Sequence, residues 1–281
     1  MNEKQPEDRP VCGVVYVASG EKFIREAETS LASLRATNPG LPVMLLTDQP
    51  VERPELWDKL EIDPHLMALT TTGRSCKAKL HMDRAPWDRC FYLDTDTLVV
   101  GDLSPAFALL DRFEFAADQI GGGHHYTIPG VPPSFPELSG GALLWRPTER
   151  VRKFFERWRE LFDAYDQSDL GRTYDQKSLR VAMWESDVRY VRMPSNFNLM
   201  SYYPTAVERE VAVVHGRGFE NLRRLEERMS HSTELRAYVP GLGALRHPQE
   251  MSWRECLVLV SRTLAWKIMG LFRPLIRRKA K

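Results

Sequence analysis

An α/β fold on a mixed, mainly parallel sheet is the class this sequence predicts, and three observations predict it. A strand, a helix and a second strand follow one another within about 40 residues near the start, the βαβ unit that links parallel strands. Short apolar runs then alternate with segments of helical spacing along most of the 281 residues. Polar residues gather at the carboxyl ends of several of those runs, where open α/β sheets collect their ligands.

In chain order, Val11 to Ala18 reads as a first buried strand and Ser19-Gly20 as the turn after it. Phe23 to Thr37 carries Phe23, Ile24, Ala27, Leu31 and Leu34 at helical spacing, and Asn38-Pro39-Gly40 stops it. Pro42 to Thr47 is a second strand ending at Asp48, and Cys90 to Leu93 is another apolar climb. The stretch from 121 to 141 is rich in Gly and Pro, with His124, His125, Tyr126 and Phe135 interspersed. It reads as a surface connection or as a mobile lid. Gly121-Gly122-Gly123 lacks the strand-to-helix context of a phosphate loop, and His124-His125 read as exposed loop residues. Ala142 to Trp145 resumes a strand, and Val151 to Tyr165 is a helix whose Phe154, Phe155, Trp158 and Phe162 read as packing residues. A further helix follows Asp175-Gln176, then a short run from Val188 to Val191. The last buried run, Val211 to Val214, ends in His215-Gly216-Arg217-Gly218.

Asp94-Thr95-Asp96 stands between the apolar runs Cys90–Leu93 and Thr97–Val100. Packing gives no reason for two carboxylates there. Side chains two apart on an extended or turning backbone can point the same way, and two oxygen donors then converge on one seat for a divalent cation carrying diphosphate. Two readings compete: the Asp-x-Asp of metal-dependent sugar transferases, and the first motif of haloacid-dehalogenase phosphatases. The phosphatase motif wants Thr two positions after the second Asp, where Leu98 stands, and it lies near the chain start, whereas Asp94 has an α/β segment ahead of it. His215, at a strand end with two glycines beside it, is a credible third ligand.

The bulk numbers bound the rest. The length fits one large domain, or a domain with appendages, and 43% apolar with 27% charged residues is ordinary globular composition. A net charge of +1 argues against a nucleic-acid binder. The four cysteines show no zinc or redox spacing, so free thiols in a reducing, cytoplasmic compartment are expected. Residues Met1 to Pro10 are polar, unlike a signal peptide, and no uninterrupted apolar run is long enough to span a bilayer.

Taken together, Lys79-Leu80-His81, Trp87-Asp88-Arg89-Cys90 and Tyr92-Leu93-Asp94-Thr95-Asp96-Thr97 resemble the Lys-rich helix and metal-binding strand of family 8 retaining glycosyltransferases. The resemblance runs from about Val14 to about Gly218. It implies a GT-A (Rossmann-like) fold over residues 10–250, a UDP-sugar donor, and Mn²⁺ or Mg²⁺ as bridging ion. Asp94, Asp96 and His215 match the metal ligands, and Lys79 matches the basic residue facing the donor. Asp118 matches the carboxylate that holds donor sugar hydroxyls, and Asp175-Gln176 a pair beside the anomeric carbon. Ser139-Gly140-Gly141 matches an Asn-Ser-Gly turn, with Leu138 where Asn is expected. Ala18 and Ser19 fall where uridine is held, and Thr95, inside the Asp-x-Asp, counts with Asp94 among the donor-binding residues. Arg217 stands near the position of a missing lysine. Front-face transfer and a covalent intermediate are both open.

Residues 252–281 form a separate appendage. Ser252-Trp253-Arg254-Glu255 looks like a capping box, and eight basic residues face one acid from Ser252 onward. With Trp253, Leu257, Val260, Leu264, Trp266, Leu271 and Phe272, this reads as a basic amphipathic helix on an anionic membrane surface, or as a helix docked on its own domain. The expectation is thus a cytoplasmic, peripherally bound transferase acting on a glycan or glycolipid acceptor. Its rivals are the phosphatase and a degenerate transferase fold serving as a membrane adaptor.

Overall fold

The computed structural model describes residues 10–68, 77–120, 127–164, 175–230 and 232–245, together with Trp253, Leu257, Val258, Val260, Ser261 and Leu264. His124, His125 and most of the C-terminal appendage lie outside the described residues.

The opening is the expected βαβ: β1 (Cys12–Ala18), α1 (Glu21–Thr37) and β2 (Val43–Thr47). β3 (Lys59–Ile62) and a short α2 (His65–Ala68) follow. Lys79 lies on a 3₁₀ segment, Ala78–Arg84, rather than an α-helix. β4 (Arg89–Leu93) and β5 (Thr97–Val99) flank the Asp-x-Asp; α3 (Ser104–Phe107) and β6 (Phe115–Gln119) come next. β7 (Leu138–Trp145), α4 (Glu149–Ala164), α5 (Gln176–Glu185) and β8 (Tyr190–Arg192) complete the main layer. β9 (Leu199–Met200), β10 (Thr205–Val207), β11 (Val213–His215), α6 (Phe219–Met229), β12 (Arg236–Val239) and β13 (Gly243–Leu245) follow.

Seven strands form the central sheet in the order β3-β2-β1-β4-β7-β6-β8. β7 runs antiparallel to both neighbours, and the other pairings are parallel. The sheet is therefore mixed and mainly parallel, as expected. Period-2 alternation sorts its side chains onto two buried faces. Val15, Val17, Tyr92 and Trp145 face α4 and α5, while Val14, Tyr16, Phe91 and Leu93 face α1 and α3. On α4, Val151, Phe154, Phe155, Trp158, Leu161 and Phe162 are all buried, which makes its aromatics packing residues. Burying a large apolar side chain contributes roughly 1.5–3 kcal/mol, so this stripe anchors one helical layer.

Two differences from expectation bear on the site. β7 begins at Leu138, so Ser139-Gly140-Gly141 lies inside a strand and not in a turn. Pairing on both sides explains this: Leu138 opposes Gln119 of β6, and Ala142 opposes Leu93 of β4. The second concerns the two aspartates. β4 belongs to the central sheet, whereas β5 pairs with β11 and β9 in a separate three-stranded sheet. Asp94-Thr95-Asp96 is the crossing between the two sheets.

Candidate active site

The crossing brings the distant histidine home. β5 and β11 pair antiparallel with His215 opposite Thr97, and the Gly216 amide donates to the Asp96 carbonyl at 2.9 Å. His215 Nε2 then lies 3.5 Å from Asp94 Oδ2 and 3.4 Å from Asp96 Oδ1. Ligand atoms of all three residues fall within 4.8 Å of one another. Asn198 Oδ1 lies 3.0 Å from His215 Nδ1, a partner that turns Nε2 toward the carboxylates, as outer-shell groups do at metal sites. Tyr92 OH donates to Asp94 Oδ1 at 2.5 Å. Sequence spacing carries no signal for Asn198 or for Tyr92 in this role.

Room at this point depends on the paired glycines of β7. A Cβ on Gly141 would lie 2.1 Å from His215 Cε1 and 2.8 Å from Asp94 Oδ2. A Cβ on Gly140, on the other side of the strand, would lie 2.0 Å from Asp175 Oδ2 and 3.1 Å from Lys79 Nζ. Only residues lacking Cβ admit both clusters against the same strand. Two carboxylates and an imidazole converging without an intervening side chain are a donor set suited to a divalent cation, so the residues fit the ion the motif implies.

Electrostatics report the same convergence. Burial disfavours the charged ring of His215, but hydrogen bonds and charge from Asp94 and Asp96 override it and raise its pKa to about 9. Burial likewise opposes ionisation of Asp94; the Lys79 ammonium, His215 and Tyr92 nonetheless hold it below the usual carboxylate range. Asp96 is lowered too, with His215 and Arg217 outweighing burial and the Asp94 charge.

These groups line one cavity of about 460 Å³. Its charges follow one another in contact. Arg217 Nε is 3.1 Å from Asp96 Oδ2, and Lys79 Nζ is 2.8 Å from Asp175 Oδ2 and 3.8 Å from Asp94 Oδ1. Lys79 also donates to the Gly140 carbonyl at 3.2 Å. Glu26, on α1, accepts from Arg217 at 2.7 Å and from Thr95 Oγ1 at 3.2 Å. Thr95, Ser139, Asp175 and Gln176 line the cavity as well, together with Phe23, Glu137, Met200, Tyr202 and Tyr203, which the sequence did not single out for the site.

Other expected positions stand outside the lining itself, although the Gly140 carbonyl accepts from Lys79. Ala18, Ser19 and Gly140 are absent from the cavity lining, which takes Val17 and Phe23 from that region. The Ser19 hydroxyl donates to Asp48 Oδ2 at 2.6 Å and the Gly20 amide to Asp48 Oδ1 at 3.0 Å, so Asp48 and Ser19 brace the entry to α1. Asp118 is not among the residues that line the cavity with Asp96. A register shift between Ala117 and Gln119 in β6 accompanies this. Asp118 Oδ1 accepts from the Gln119 amide at 2.7 Å and the Ser195 hydroxyl at 3.0 Å, with Arg192 Nε at 3.5 Å. Its side chain is fully buried there, and burial pushes its pKa up to about 6 despite those partners.

By sequence, the chain matches no protein-family model and no curated protein. By structure it is similar to the galactosyltransferase LgtC solved with donor and acceptor sugar analogues. The TM-score is 0.57 at 17% identity, covering 78% of this chain and 97% of that one. An active-site Gln-to-Glu mutant of LgtC gives a TM-score of 0.53 at 17% identity, covering 73% and 87%. GlyE of Streptococcus pneumoniae gives 0.50 at 21% identity, over 67% of this chain and 47% of that one. At these identities the likeness is one of fold: the chain has the GT-A fold of these glycosyltransferases.

Proposed function

We propose that this GT-A chain transfers a sugar from a nucleotide-sugar donor, a UDP-sugar, to a saccharide, glycolipid or protein acceptor in cell-surface glycan synthesis. The observation that carries the reading is the meeting of Asp94, Asp96 and His215 at one point of the cavity, across about 120 residues of chain. Those three residues would hold Mn²⁺ or Mg²⁺, which when bound supplies Lewis-acid neutralisation of a departing diphosphate. Lys79 and Arg217 flank the same point and add positive charge where a leaving group would develop its own. Asp175 and Gln176 lie past Lys79, on the side where a donor sugar would extend from the diphosphate. Asp175 is paired with Lys79 at 2.8 Å, which supports front-face retaining transfer over attack by a free carboxylate, with a hexose as the transferred group.

The phosphatase reading finds no support: its two aspartates would need a different fold, and His215 occupies the space between them here. The adaptor reading is separated by experiment. Thermal melting with UDP, UDP-galactose and UDP-glucose, each with and without Mn²⁺, should show a Mn²⁺-dependent rise, since a ligand that binds only the native state stabilises it by mass action. UDP release on addition of an acceptor then distinguishes enzyme from adaptor. No shift with any sugar nucleotide would refute the reading.

Residues 252–281 form, on this reading, an appendage that rests on the anionic cytoplasmic face of a membrane. In support, Trp253, Leu257, Val260 and Leu264 are helical and expose 58–68% of their surface, and their spacing places them on one stripe. No described helix is long and apolar enough to cross a membrane. Cys12 and Cys90 are free thiols, in keeping with a reducing compartment.

A further inference from the structure

Glu137 is the charged cavity group that the reading above leaves without a task. It precedes β7, lines the cavity with Ser139, Asp175 and Gln176, and is only 6% exposed. Its backbone carbonyl is used, accepting from the Ile120 amide at 2.9 Å. Its carboxyl oxygen Oε2, by contrast, is buried and has no hydrogen-bond partner among the described residues. Among the described residues no ion pair reaches it either; the nearby Arg180 guanidinium donates to the carbonyls of Pro132, Pro133 and Phe135. A buried carboxyl with an unused acceptor costs free energy unless something fills the place.

We propose that Glu137 is the sugar-reading residue of this cavity, accepting hydroxyl hydrogen bonds from a neutral hexose held beside Asp175. The proposal rests on the nucleotide-sugar reading and goes past it by naming the residue and the sugar class. It gives Glu137 the part that the resemblance assigned to Asp118, which is not among the residues lining the cavity; Asp118 Oδ1 is engaged by Gln119, Ser195 and Arg192, and its buried Oδ2, though also without a partner, lies off that lining. Position supports it. The run of contacting charges goes from Arg217 through the aspartate pair to Lys79 and Asp175, and Glu137 lines the same cavity within electrostatic reach of Asp175. A diphosphate seated at Asp94 and Asp96 leaves the Asp175 end for the sugar.

Charge sets the class of sugar. Glu137 and Asp175 are both buried acids, and Lys79 is already engaged by Asp175 and Asp94. A uronic acid would bring a third carboxylate into this end, whereas a neutral hexose brings donors. Burial, reinforced by the Asp175 charge and opposed by Arg180, raises the Glu137 pKa to about 7. Its acceptor capacity therefore grows through neutral pH.

The test measures binding of UDP, UDP-galactose, UDP-glucose and UDP-glucuronate to the full chain with Mn²⁺ by calorimetry. The sugar increment is the ratio of UDP-hexose to UDP affinity. Wild-type protein should show an increment for at least one neutral hexose and none for the glucuronate. Glu137→Gln should reduce that increment by roughly tenfold or more, the worth of a hydrogen bond to a charged acceptor, with UDP affinity unchanged. The wild-type increment should rise between pH 6 and pH 8, while that of Glu137→Gln stays flat. Glu137→Asp, which keeps charge but shortens the reach, should fall between the two.

An unchanged increment in Glu137→Gln overturns the assignment while leaving the transferase reading intact. So does an equal loss of UDP and UDP-hexose affinity in both variants. A wild-type increment for the glucuronate overturns the neutral-sugar class. Failure of wild-type protein to bind UDP at all defeats the donor reading, and the Glu137 assignment with it.

Discussion

Adding one methyl group at Gly141 should dismantle the metal site from behind. In Gly141→Ala the new Cβ falls 2.1 Å from His215 Cε1, 2.8 Å from Asp94 Oδ2 and 2.9 Å from His215 Nδ1. Ordinary contact begins at about 3.4 Å, so the ring must move by about 1 Å or more. The strand cannot retreat instead, because β7 is paired on both sides and the Gly141 carbonyl accepts from the Asp94 amide at 2.9 Å. Moving the ring breaks its alignment with Asn198 and takes Nε2 out of reach of an ion shared with the aspartates.

Losing that orientation should lower divalent-cation affinity by about ten- to a hundredfold, which is about 1.4–2.7 kcal/mol. Overpacking should cost about 1–3 kcal/mol of metal-free stability, or roughly 2–10 °C in melting temperature for a chain of this size. The assay is a Mn²⁺ titration followed by the resonance of the free ion, beside thermal melting without metal. Gly40→Ala is the control, since its Cβ would have no heavy atom within 4 Å. If Gly141→Ala binds Mn²⁺ as tightly as wild type and melts at the same temperature, His215 and Asp94 do not hold an ion in this arrangement.

Three further outcomes follow from named contacts. Lys79→Ala leaves the carboxylates of Asp175 and Asp94 without the ammonium between them; it should cost about 3 kcal/mol in urea unfolding, and Lys79→Ala with Asp175→Asn should cost less than the sum. Asp118→Asn should leave the UDP-hexose sugar increment unchanged. Because the Asp118 pKa rises to about 6 on folding, its contribution is fully present below about pH 4 and is lost as pH rises through 6. Wild type should therefore lose about 2 kcal/mol relative to Asp118→Asn between pH 4 and pH 7.5, and parallel pH curves would refute this. Serine at Leu257, Val260 and Leu264 in the full chain should abolish flotation with anionic liposomes, and wild-type flotation should weaken as salt screens the basic end; flotation unaffected by the substitutions would remove the membrane assignment.

Periodicity and punctuation in the sequence were enough for the βαβ opening, the mainly parallel sheet and the α4 packing stripe. These depend on residues close together in the chain, where spacing and burial are the same information. The Asp94-Asp96 pair was legible for the same reason, since two carboxylates at the edge of an apolar strand have no packing explanation. His215 was legible from its place at a strand end between an apolar run and two glycines, Lys79 and Asp175 came from motif likeness, and all three line the cavity.

What only the tertiary structure decided is which long-range pairings form. His215 meets Asp96 because β5 leaves the central sheet to pair with β11, a choice no local pattern encodes. Asn198 holds His215 across 17 residues, and Glu137 owes its unfilled acceptor to the walls around it. Asp118 and Ser139-Gly140-Gly141 show the converse. The family likeness implied a sugar carboxylate and a turn; two-sided pairing of β7 makes the second a strand, and Asp118 Oδ1, beside a register shift in β6, lies against Ser195. Strand register turns a side chain from one face of a sheet to the other with a one-residue shift, and register is settled by partners far away in the chain.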